Sequence, residues 1–279
     1  MLSEAKSAYG GKILISGEGG QGVQIISEIL AKVGHQTGKM VCYMPSFGVE
    51  QRGGASLAFL QISEKPITYP KFAVADITVA MSNRAIKALE NRLSQETIFI
   101  FDSSNIDDEH LQSARSKVAK FLSLPARDYA NKNLSTKVTN MIFLGALLNY
   151  LPEIKPDNIK NALKEKLAAK PDLIELDLKA IDWGLEFAKS GQGQEFKGLA
   201  KKEIQKKFED EKKSWERFPE YCKGCGLCIV RCPVKALTFS NDLNFLGTQM
   251  PQNDLNKCTA CGLCQLTCPD GAIKVTKKA

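Results

Sequence analysis

Eight of the nine cysteines in this 279-residue chain fall in two copies of one spacing, and that spacing suits iron–sulfur chemistry. Cys222, Cys225, Cys228 and Cys232 precede Pro233, and Cys258, Cys261, Cys264 and Cys268 precede Pro269. Both runs read C-x-x-C-x-x-C-x-x-x-C-P, and each cysteine of the second stands 36 residues after its counterpart. Three thiolates on a tight turn grip one [4Fe–4S] cubane, and the fourth, before the proline, reaches the neighbouring cluster. The expected ligand sets are therefore crossed. Cys222, Cys225, Cys228 and Cys268 hold one cluster; Cys258, Cys261, Cys264 and Cys232 hold the other. The prolines end any helix after the fourth ligand. Gly224, Gly226 and Gly262 let backbone amides approach the sulfur atoms. A zinc ribbon has no use for a third cysteine at this spacing. A disulfide framework needs an oxidising compartment, and no signal peptide is legible at the N-terminus, so the expected location is cytoplasmic.

A second constellation is Gly17-Glu18-Gly19-Gly20-Gln21-Gly22, a G-x-G-x-x-G turn between an apolar run, Lys12–Ser16, and a helical pattern starting at Val23. Glycines let backbone approach a phosphate, and a helix N-terminus offers free N–H groups and partial positive charge. No Gly-Lys-Ser/Thr follows, so this is not a Walker loop. No acid stands near Met40–Met44, where a dinucleotide fold would place one, which argues against NAD. A phosphate-binding turn and a turn that binds nothing both fit the pattern. A third feature, Pro45-Ser-Phe-Gly-Val-Glu-Gln-Arg-Gly-Gly54, should emerge beside the glycine turn. Its Arg52 either lines a ligand crevice or pairs with Glu50 on the surface.

The elements that must carry these turns follow from periodicity. Strands are expected at Lys12–Ser16, Met40–Tyr43, Ala55–Ile62, Ile77–Met81, Thr97–Phe101 and Lys120–Leu124. Helices are expected from Val23 to about Gly34, after the fourth strand to about Leu93, and over Thr136–Tyr150 and Asp157–Ala168. Strands alternating with helices predict an α/β fold with a layered, mostly parallel sheet. The expected organisation is an α/β domain over residues 1–190, a charged linker helix over 191–219, and a small α+β two-cluster domain over 220–279. The formal charge of +7 is modest. Acids interleave with the lysines from Lys197 to Lys213 and aromatics are few there, which speaks for a solvated surface and against a nucleic-acid interface. No run of about 18 apolar residues is present, so no membrane span is expected. Cys42 reads as a small hydrophobe in a buried strand, and His35 as a polar residue near a helix C-terminus.

Ile15-Ser-Gly-Glu-Gly-Gly-Gln-Gly-Val23 followed by Pro45–Gly54 resembles the gamma subunit of 2-oxoacid:ferredoxin (acceptor) oxidoreductases. Tyr69-Pro70 and Asp76-Ile-Thr-Val-Ala-Met-Ser82 are also similar to that family. Trp215-x-x-Phe-Pro219 and the two cysteine runs resemble its delta subunit, a two-cluster ferredoxin. The resemblance implies a gamma–delta fusion within a complex of EC 1.2.7 type, not active alone. Such complexes convert a 2-oxoacid, coenzyme A and oxidised ferredoxin to an acyl-CoA, CO2 and reduced ferredoxin. Thiamine diphosphate and Mg would sit in alpha- and beta-type partner subunits; no thiamine motif is found here. Gly17, Glu18, Gly19, Gly20, Gln21 and Gly22, with Arg52, would contact coenzyme A, and the clusters would relay electrons to an external ferredoxin or other acceptor. Glu18 departs from the family, which often has a neutral residue there. The likeness leans to 2-oxoglutarate, with pyruvate, branched-chain and aromatic 2-oxoacids open. The alternative is an electron-transfer ferredoxin whose α/β domain only docks it to another oxidoreductase.

Overall fold

The structure is a computed structural model that describes residues 10–48, 54–104, 108–167, 171–194, 206–244 and 247–278. The chain divides into two compact units, Met1–Leu199 and Ala200–Ala279.

The first unit opens with β1 (Gly10–Glu18) and α1 (Val23–Gln36), in which Val23, Ile26, Ile29, Leu30 and Val33 are buried along the stripe that the three-and-four spacing predicts. Next come β2 (Met40–Phe47), β3 (Ala55–Ser63), β4 (Ile77–Ala80), α2 (Asn83–Leu89), β5 (Ile98–Asp102), α3 (Asp108–Ser116) and β6 (Lys120–Leu124). Four helices complete the unit: α4 (Ala126–Asn133), α5 (Thr139–Leu148), α6 (Pro156–Lys166) and α7 (Pro171–Lys189). The sheet order is β2-β3-β1-β4-β5-β6. The pairs β1–β4, β4–β5 and β5–β6 are parallel, whereas β3 runs antiparallel to both β1 and β2. The short β2–β3 connection explains the antiparallel pair, since parallel neighbours need a crossover. It also breaks the dinucleotide topology, because the strand after α1 lies two places from β1 with β3 between them.

Alternation along the strands feeds two cores. Ile13, Ile15, Ile100 and Leu122 pack with α1, α5, α6 and α7 on one face. Leu14, Phe99 and Phe101 pack with α2 and α3 on the other. Helix α5 is buried from Asn140 to Leu148 on every side. It meets α7 backbone to backbone: a Cβ on Gly145 would lie 2.0 Å from the Ile181 carbonyl oxygen, and one on Gly184 2.1 Å from that of Ile142. Both helices pass at that range only because neither position carries a side chain.

The second unit contains β7 (Lys207–Glu209), β8 (Lys213–Arg217), α8 (Leu227–Val230), β9 (Leu237–Leu243), β10 (Gln249–Asn253), α9 (Leu263–Thr267) and β11 (Ile273–Lys277). Strand β10 stands 36 residues after β8 at both ends. The antiparallel pairs are β8 with β11 and β9 with β10, so each ladder joins the first strand of one half to the second strand of the other. That exchange carries the duplication into three dimensions.

The linker expectation needs correction. Residues 195–205 lie outside the described residues, but Lys207–Glu209 and Lys213–Arg217 are strands and not a helix. Asp210 turns the chain by accepting the amides of Lys212 and Lys213 at 2.8 and 2.9 Å, and Phe208 packs edge-on against Trp215. The division between units falls after Leu199, not at residues 190 and 219. Gly193 belongs to the first unit, because its carbonyl accepts the Ser123 N–H at 2.8 Å. Among the described residues no helix is long and apolar enough to cross a membrane.

Candidate functional sites

The glycine turn connects the carboxyl end of β1 to α1. Gln21 closes it from within: its side-chain oxygen accepts the Glu18 N–H at 2.8 Å, its own N–H donates to the Glu18 carbonyl at 3.0 Å, and its amide nitrogen reaches the Met81 carbonyl at 3.4 Å. Gly19 donates to the Gly54 carbonyl at 2.8 Å, which ties the foot of the 45–54 loop to the turn as the sequence led us to expect. Residues 49–53 of that loop, Glu50 and Arg52 among them, lie outside the described residues. Gly22 is left-handed with φ +78°, and a Cβ there would lie 2.3 Å from Asn140 Nδ2. A Cβ on Gly17 would lie 2.7 Å from Val23. Internal packing therefore already demands glycine at 17 and 22. The amides of Gly19 and Gln21 are engaged, so an anion would meet the first-turn amides of α1, which have no partners within the helix.

Glu18 does not project over the turn. It is 2% exposed and lies at the ends of the parallel strands with Ser82 and Arg127, while Arg84 Nη1 stands 3.9 Å from its Oε2. Burial pushes its pKa up, countered by the Ser82 hydroxyl and then by the charges of Arg84 and Arg127. Ser82 also caps α2 by accepting the Ala85 N–H. Arg127, from α4, is 3% exposed, donates to the Met81 carbonyl at 3.2 Å and faces Asp102 Oδ2 at 3.5 Å. The sequence reading missed this buried polar set at the ends of β1, β4, β5 and β6. Its signal was a polar residue closing each apolar strand run: Ser82 after β4 and Asp102 in β5. Cys42 is half-buried on the edge strand β2 and is not a core residue; His35 is exposed in the last turn of α1.

In the second unit the cysteines of the two runs lie close together, and Cys228 packs with Cys232 and Cys264. Cys232 lines one cavity with Cys258, Cys261 and Cys264. That cavity encloses about 320 Å³, part of it open to solvent. Cys222 packs with Cys268, Met250 and Ala272 in a separate small core. The backbone repeats with the sequence: Gly224 and Ala260, Gly226 and Gly262, and Lys235 and Gly271 are all left-handed, each pair 36 residues apart. Backbone N–H groups point at sulfur, from Ala236 to Cys232 at 3.2 Å, from Ala272 to Cys268 at 3.2 Å and from Ala260 to Cys258 at 3.4 Å. Burial pushes Cys228 up to about 12 and also raises Cys222 and Cys264. The Trp215 indole N–H acts against burial at Cys264, without reaching hydrogen-bond geometry. Buried thiols need a cationic partner to become thiolates, and a cluster of four irons in each cysteine group fits that need. Among the described residues no three such side chains close in as ligands of a single ion.

Comparison with known proteins agrees with both units. Residues 12–187 match the family model for pyruvate ferredoxin/flavodoxin oxidoreductase, and residues 221–272 that for a 4Fe-4S dicluster domain. The 2-oxoglutarate synthase subunit KorC of Methanothermobacter thermautotrophicus is 31% identical over 183 residues, taking in 64% of this chain and 96% of that protein. The ketoisovalerate oxidoreductase subunit VorA of the same organism is 25% identical over 179 residues, and the match spans 64% of this chain but only 36% of VorA. A 2-oxoglutarate:ferredoxin oxidoreductase from Magnetococcus marinus, solved with 2-oxoglutarate, coenzyme A and succinyl-CoA bound, has a similar fold. Its TM-score is 0.59 at 24% identity, covering 66% of this chain and 32% of that one.

Proposed function

We propose, from the premise that this chain belongs to the pyruvate ferredoxin/flavodoxin oxidoreductase family, that it is the gamma–delta subunit of a 2-oxoacid:ferredoxin oxidoreductase. The observation that carries this reading is the union, in one chain, of the family's α/β unit with a dicluster unit. Thiamine diphosphate and Mg belong, in this reading, to alpha- and beta-type partner subunits, where the 2-oxoacid is decarboxylated. The first unit caps that chemistry and contacts coenzyme A through Gly19 to Gly22 and the α1 N-terminus, with Arg52 on the adjoining loop. The inward turn of Glu18 removes the repulsion that a carboxylate over the turn would exert on a phosphate. The second unit holds its clusters with Cys222, Cys225, Cys228 and Cys268, and with Cys258, Cys261, Cys264 and Cys232. These clusters supply one-electron carriers to an external ferredoxin or other acceptor in the cytoplasm. The KorC likeness makes 2-oxoglutarate the first substrate to test.

The test of the coenzyme A contact is Gly19→Val in the assembled complex. The added side chain should intrude on the ligand and raise the apparent KM for coenzyme A at least about tenfold, about 1.4 kcal/mol. The coenzyme-independent half-reaction at thiamine should persist with full cluster content. An unchanged KM in a properly assembled variant would leave the first unit as a docking platform, as in a ferredoxin that only borrows this domain.

A further inference from the structure

We propose that Trp215 and Asn253 are hydrogen-bond donors to the sulfur atoms of the cluster held by Cys258, Cys261, Cys264 and Cys232, and that they make it the higher-potential cluster of the two. The proposal rests on the cluster reading above. Trp215 is fully buried, and its Nε1 has no hydrogen-bond acceptor. It sits on β8 in one apolar group with Cys264, Cys232 and Cys228. Asn253 is 7% exposed, both polar atoms of its side chain are unpartnered, and it lines the cavity that Cys232, Cys258, Cys261 and Cys264 surround. A buried donor left without an acceptor destabilises the fold. Two of them beside one group of cysteines point to an acceptor that the cavity receives. Thiolate and sulfide sulfur are such acceptors. A cluster gains negative charge on reduction, so N–H groups aimed at it stabilise the reduced form and raise the potential.

The duplication supplies an internal comparison. The residue 36 positions after Trp215 is Pro251, which has neither a side-chain donor nor an N–H. In the two ladders Trp215 faces Val275 while Pro251 faces Phe239, so the bulk has changed strands and the indole N–H exists on one side alone. The counterpart of Asn253 is Arg217. Its guanidinium donors are taken by Ser240 at 2.9 Å, the Pro251 carbonyl at 2.8 Å and Asp242. Its charge acts on Cys222 but is paired with that of Asp242. The two clusters therefore meet different donor sets even though their cysteine runs have the same spacing.

The experiment is an EPR-monitored redox titration of the full anaerobic chain, with the two signals assigned by their loss in Cys225→Ala and Cys261→Ala. Two replacements at Trp215 remove the N–H: Trp215→Phe, and the shape-matched tryptophan analogue with sulfur in place of the indole nitrogen. With iron and sulfide content intact, the cluster lost in Cys261→Ala should drop in potential. Its oxidised-to-reduced ratio at fixed potential should rise at least about threefold, about 28 mV at 59 mV per tenfold. The other cluster should stay put. Asn253→Leu should move the same cluster in the same direction. If Trp215→Phe loses its clusters, the isosteric analogue decides. Full cluster content with both potentials unmoved, or movement of the first-run cluster instead, would overturn the proposal. An unsubstituted chain that binds no iron would overturn the cluster reading itself.

Discussion

Glu18 and Cys232 show how differently two residues can be read from the same chain. Cys232 announces its expected role locally: it is the fourth cysteine of a run and precedes a proline. It lines a cavity with Cys258, Cys261 and Cys264, and in the proposed account it ligates the cluster that they hold. Glu18 reads as a carboxylate over a phosphate-binding turn. Its true setting depends on Ser82, Arg84 and Arg127, which come from elements far along the chain, so no local pattern could reveal it. The crossed ligation has a direct test. Cys232→Ala should impair the cluster of the second run and spare that of the first, and Cys225→Ala should do the reverse. Anaerobic EPR of the reduced variants separates the cases; loss of the first-run signal in Cys232→Ala would show that each run holds its own cluster.

At the scale of elements, the sheet was legible because its strands are short apolar runs with glycine or polar ends. The β2–β3 hairpin was not, since direction depends on the connection and not on composition. The second unit's β7 and β8 were hidden by charge: lysines and acids suggested a solvated helix, while Phe208 and Trp215 stand opposite each other across the antiparallel β7–β8 pair. Helix α7 was missed for a related reason. Asp177 interrupts its apolar stripe at a position only 8% exposed, and burial pushes that carboxyl up to about 6. The folded pKa lies above the unfolded one, near 3.8. The folded state thus holds an extra proton between those values, and the protein loses stability as pH rises from about 4 to about 6. Above that window the buried charge costs on the order of 1 kcal/mol after solvent screening. Asp177→Asn should therefore raise the urea midpoint at pH 7.5 and give no gain at pH 4. A variant less stable than the parent at pH 7.5 would mean that the carboxylate has a favourable partner.

The molecule as a whole joins the family's α/β unit to a duplicated 4Fe-4S dicluster unit. Both halves were legible from motifs, whereas the boundary was not, because the charged segment between them belongs partly to the β8 sheet. In the proposed account, electrons released at thiamine in the partner subunits must pass through this chain before they leave the complex. Freeze-quench EPR of the assembled complex, mixed with 2-oxoglutarate and coenzyme A without external ferredoxin, tests that account most directly. The account predicts that both [4Fe–4S] signals of this chain, identified by their loss in Cys225→Ala and Cys261→Ala, appear within one turnover. If the complex reduces added ferredoxin at full rate while those two clusters stay oxidised, or after both are removed, the chain is not the electron relay.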